Sequence, residues 1–85
     1  MATAAITEIT NLINLAIRYK NSIKNTTTVA EADAAAEAAT AAMKEADRLA
    51  GPSPRPEVIR QRMMYGWRVT GKAWAAAQDR AAQSN

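Results

Sequence analysis

With 85 residues, no Cys, no His and a formal charge of +3, the chain has room for one small domain, 1–85. It lacks both the disulfides that staple small secreted scaffolds and the commonest metal ligand and proton shuttle. No Gly-rich phosphate loop or nucleophile motif accompanies its close carboxylate pairs, Asp33 with Glu37 and Glu45 with Asp47, so the expectation is a non-enzyme without metal, cofactor or small-molecule site.

The opening MATAAITEIT lacks the basic start and continuous apolar run of a signal segment. No window reaches the roughly 20 apolar residues that span a bilayer, which points to a cytoplasmic protein or one held within an assembled particle. The first predicted helix covers residues 4–24. Ile6, Ile9, Leu12, Ile13, Ala16, Ile17, Lys20 and Ile23 recur at steps of three and four, a period that favours a packed helix over a strand although isoleucine is β-branched. Lys20 is the one charged member and is long enough to carry its ammonium outward. Leu15 falls off this stripe, which makes it a candidate partner contact.

Asn25-Thr26-Thr27-Thr28 breaks the pattern, because these side chains compete for the backbone's hydrogen bonds. Thr28 with Glu31 three residues on reads as a capping box opening a second helix, 29–50, that stops at Gly51. Eleven of those 22 residues are Ala, giving high helix propensity and little volume to bury. Ala35, Ala39, Ala42, Met43, Ala46 and Leu49 form the expected packing face, opposite a polar stripe of Asp33, Glu37, Thr40, Lys44 and Asp47. So small a face should let a neighbouring helix come close enough for tryptophans to fill the gap.

Gly51-Pro52-Ser53-Pro54-Arg55-Pro56 is a Pro-rich corner, 51–56, with Ser53 as a candidate cap and Pro54 in the first turn of a third helix, 54–82. On that helix Ile59, Met63, Trp67, Thr70, Ala73, Trp74, Ala77 and Ala81 fall together as a buried stripe, while Arg62, Tyr65, Arg68, Val69, Lys72, Asp79 and Arg80 fall opposite. Gly66 and Gly71 each weaken the helix. A continuous helix is favoured over a helix-turn-helix, with Gly66 letting the Ala-rich helix pass closely and the tail Gln83-Ser84-Asn85 frayed.

The fold class read from these elements is all-α, three helices forming a small bundle or a hairpin that packs further on oligomerisation. Charge is uneven. Residues 1–28 carry three cations against one carboxylate, residues 29–50 two against five, and residues 51–85 six against two. Two Trp on one helix, beside an Ala-rich one, favour a protein–protein interaction module, either a self-assembling subunit or an adaptor of a larger, phage-like complex. Its candidate partner contacts are Trp67, Trp74, Tyr65, Met63, Met64 and Leu15. The first alternative is a nucleic-acid binder using Arg60, Arg62, Arg68 and Lys72, with Arg55 and Arg80 beside them; Arg60 falls on the far flank from Arg62 and Arg80, which leaves Arg68 and Lys72 as the best-placed pair. A second is a small inhibitor or regulator of a host enzyme. Attachment of the basic helix to a membrane surface ranks last, because alanines give little insertion energy.

Overall fold

The computed structural model describes the backbone of residues 2–83 and side chains from residue 6 onward. Three helices, α1 (Ala2–Ser22), α2 (Val29–Ala50) and α3 (Glu57–Gln83), pack each against the other two in an elongated bundle of 48 × 18 × 15 Å. The expected bundle is therefore the architecture. Of the expected frayed tail, Ser84 and Asn85 lie outside the described residues, and Gln83 is the last residue of α3.

α1 and the turn that follows it bury Ile9, Ile13, Ala16 and Ile23, with Ile6, Leu12 and Ile17 half-buried beside them. Its last turn tightens into a 3₁₀ segment, Ile23–Asn25. There the Thr26 hydroxyl donates to the Ile23 carbonyl at 2.6 Å, so the threonine run turns the chain by bonding its own backbone. Leu15 does not stand clear of the bundle. It is half-buried against the core, because two neighbouring helices wrap a wider arc of α1 than a single stripe covers.

The capping box forms as expected. The Thr28 hydroxyl accepts the Glu31 amide at 3.1 Å, and the Glu31 carboxylate accepts the amides of Thr27 and Thr28, both at 3.0 Å, and the Thr27 hydroxyl at 2.8 Å. These donors, the Thr27 hydroxyl first, hold the Glu31 pKa below the ordinary carboxylate value. A depressed pKa contributes stability that is present above the unfolded-state value and lost as pH falls through the folded one. Thr28→Ala is expected to cost about 1 kcal/mol at neutral pH. The difference from wild type in urea denaturation should narrow on acidification below the carboxylate range.

α2 ends at Gly51, whose φ of +78° suits glycine where a side chain would be strained. The corner that follows is braced from within. Arg55, only 19% exposed, donates through Nε to the Gly51 carbonyl at 2.8 Å and through Nη1 to Asp47 at 3.0 Å. α3 then opens at Glu57, later than residue 54, so Ser53 and Pro54 are not its cap and first turn. Pro56 explains the delay: a residue preceding proline is pushed out of the helical region, so Arg55 cannot be helical and the first helical acceptor is the Pro56 carbonyl, bonded by the Arg60 amide at 3.0 Å.

From there α3 runs unbroken for 27 residues through both glycines. Gly66 is buried under the Met43 side chain, with Ile13 beside it: a Cβ built there would overlap the Met43 Sδ and Cε and lie 3.1 Å from Ile13 Cγ1. This is the close helix passage that the small residues promised. Its filler is Met43, itself fully buried, and not the tryptophans. The α2 packing face is accordingly centred on Ala32, Ala36, Ala39, Ala42, Met43 and Ala46, while Ala35 and Leu49 sit half-buried at its edges.

Candidate interaction face

Because α3 presses Gly66 against Met43, its buried arc is Ile59, Met63, Gly66, Val69, Thr70, Ala73 and Ala77. Val69, placed on the polar side from the sequence, is therefore inside. Trp67 and Trp74, placed inside, are 39% and 37% exposed. An indole has no room between backbones held this close, so both rings lie along the edge of α3 that borders α2. The Trp74 Nε1–H donates to Thr40 Oγ1 at 2.9 Å, which fixes that ring at the α2–α3 seam.

Among the described side chains, the large apolar ones that the bundle leaves exposed, Val58, Met64, Tyr65, Trp67 and Trp74, all belong to α3. They divide between its two flanks. Met64, Trp67 and Trp74 follow Arg60 at steps of four, three and seven, so they form one ridge on the α2 side. Val58 and Tyr65 face the α1 side, where with Ile13, Ile17 and Arg62 they line a groove of about 340 Å³.

Met63 is buried in the core. Although it touches the groove that Arg55, Arg60 and Trp67 line, it is not an accessible partner contact. Trp67→Ala should thus cost about 1–2 kcal/mol, well short of full loss of a core aromatic; urea denaturation of the variant measures this.

The four basic candidates do not share a face. Arg62 points to α1 and donates through Nη1 to Thr10 Oγ1 at 2.9 Å; its Nε is buried without a partner. Arg60 and Arg68 join Arg55, Met64 and Trp67 around an open groove of about 530 Å³. Lys72 is exposed one turn beyond Arg68. Asp47 offsets Arg55, and Glu57 lies 3.8 Å from Arg60, whereas Arg68 has no ion pair among the described residues. The ridge therefore couples flat, polarisable surface to cationic edges, a composition suited to anchoring a partner.

Arg55, counted in the sequence only among the cations of a nucleic-acid surface, is brought to the groove by the fold of the corner. The ridge spacing was legible, but it overlapped the stripe assigned to the core. Among the described residues no helix is long and apolar enough to cross a membrane, and no group of three or more Asp and Glu could hold a metal ion. The chain matches no protein family, no curated protein and no solved structure, so its function is to be read from this geometry.

Proposed function

We propose that the protein is a non-catalytic helical interaction module, a cytoplasmic or particle-bound subunit or adaptor that docks other protein through the α3 ridge. The observation that carries this reading is the placement of Met64, Trp67 and Trp74 outside a core whose apolar side chains are Ala, Ile, Met and Val. A small chain that keeps its largest side chains out of its own core leaves their burial to be gained on association. Aromatic and Met side chains ringed by Arg are the composition of interface centres.

Nucleic-acid binding is the weaker reading. The cations are divided between two flanks, and the neighbouring face of α2 carries the exposed carboxylates of Asp33 and Glu37, which repel phosphates.

A photoreactive residue replacing Met64, at the exposed crest of the ridge, tests the proposal in cells. Discrete protein adducts, of this chain or of another, are expected, and they should be lost when Trp67 and Trp74 are both changed to Ser. Adducts to nucleic acid alone, or none, would overturn it.

A further inference from the structure

Gly71 sits in the ridge between the two tryptophans, four residues after Trp67 and three before Trp74. A Cβ there would meet nothing within 4 Å, and its φ is not in the left-handed region. Neither internal packing nor backbone conformation requires glycine at this position, although it weakens the helix relative to Ala. Inside the bundle the gap serves nothing. On the ridge it leaves open space between the positions of Trp67 and Trp74, a notch where another helix can cross closely.

Apart from Lys44 and Lys72, which lie near the level of that notch, and the carboxylates Asp47 and Glu57 that pair with Arg55 and Arg60, charge along the α2–α3 face is segregated about it. Arg60 lies on α3 roughly 16 Å from Gly71 along the axis, at 1.5 Å per residue, and Arg68 lies on the same side of it. α2 runs antiparallel to α3, since Thr40 meets Trp74 while Met43 covers Gly66. Glu37 and Asp33, three and seven residues before Thr40 and on its face, therefore extend beyond Trp74; Asp33 lies roughly 15 Å from Gly71 in the opposite direction. Asp33, Glu37 and Arg68 are exposed and have no ion pair among the described residues.

Basic and acidic ends at similar distances on either side of a notch make the face complementary to itself after a half-turn. We propose, on the basis of the interaction reading above, that the occupant of the ridge is a second copy of this chain, paired about a two-fold axis near Gly71. The two α3 helices cross at their glycines, each Trp67 packs toward the partner's Trp74, and the Arg60 and Arg68 end of each copy meets the Asp33 and Glu37 end of the other. The long side of the bundle, 48 by 18 Å, has a silhouette on the order of 860 Å², which is an upper bound on what the pair can bury and leaves room for the roughly 800 Å² per partner of a standard interface only if most of that side is used.

Sedimentation equilibrium of the full chain, run from micromolar to millimolar concentration, tests the pairing. Wild type is expected to reach the dimer mass. Gly71→Leu should weaken the dimer at least about tenfold by filling the notch while keeping the helical circular-dichroism signal. Arg60→Glu with Arg68→Glu, and separately Asp33→Lys with Glu37→Lys, should each be monomeric and helical, because like charges then face each other in both homodimers.

Mixing those two double variants should restore a dimer containing one copy of each, since the exchanged ends are complementary again. A wild type that stays monomeric throughout, double variants that dimerise like wild type, or a mixture that stays monomeric overturns the second copy as occupant. In that event, Trp-dependent adducts from position 64 to another protein would leave the interaction reading standing, and their absence would end both.

Discussion

Gly66→Leu is expected to destabilise the monomer by about 3 kcal/mol, the upper range for overpacking a tight core. Even the first atom of a side chain there overlaps Met43, and Ile13 blocks the adjacent direction. The Met43 terminus is flexible, which is why Ala is expected to be far better tolerated than Leu. It is also fully buried, so the extra atoms of Leu must separate α3 from α2. Gly71→Leu is the matched control. Nothing lies within 4 Å of a Cβ at Gly71, and leucine favours helix over glycine by roughly 0.5–1 kcal/mol, so the monomer should gain stability. Urea denaturation of both variants at low protein concentration separates the two glycines by sign.

Met43→Ala is expected to cost about 3 kcal/mol. Met43 and Ile9 are the largest side chains buried completely, and a chain whose second helix is half alanine has little nearby volume to collapse into the cavity. Because Met43 and Gly66 share one space, the two changes should not add. Met43→Ala combined with Gly66→Leu is expected to cost at least about 1 kcal/mol less than the sum of the single variants, since the leucine occupies volume that the methionine vacates. Strict additivity in that cycle would mean that Met43 does not set the spacing between α2 and α3.

Local chemistry made much of the fold legible. Thr28 and Glu31 specified a helix start, Gly51 a stop and the isoleucines of α1 a buried face, because each acts within one turn of its own helix. The start of α3 was misplaced by weighing Ser53 and Pro54 above the restriction that Pro56 imposes on Arg55. The larger miss was the rotation of α3. Hydrophobic periodicity ranks residues by apolarity and so puts tryptophans innermost. The rotation adopted depends on volume between facing helices, and Met43 against Gly66 takes the space that an indole would need. The same rotation turned inward Val69, which had passed as a polar-side residue; Leu15 passed as exposed because two helices wrap a wider arc of α1 than one stripe covers, and Met63, placed on the buried stripe where it lies, was nonetheless counted among the partner contacts. Helical spacing already set Arg60 on the far flank from Arg62, but the bond of Arg62 to Thr10 is a contact across 52 positions of sequence, beyond the reach of any local pattern.

The ridge concentrates the consequences. If Trp67 and Trp74 were core residues, the chain would be a small closed bundle and its surface would say little about function. At the margin, with Gly71 between them and opposite charges at either end, they give the protein a face to present.

Iodide quenching of tryptophan fluorescence, measured across a range of protein concentrations, tests this most directly, because the chain's two indoles are the ones in question. Efficient quenching in dilute solution, falling as the concentration rises and the copies pair, is the expected result. Indoles protected from iodide in dilute, monomeric protein would place them in the core and contradict the exposed ridge.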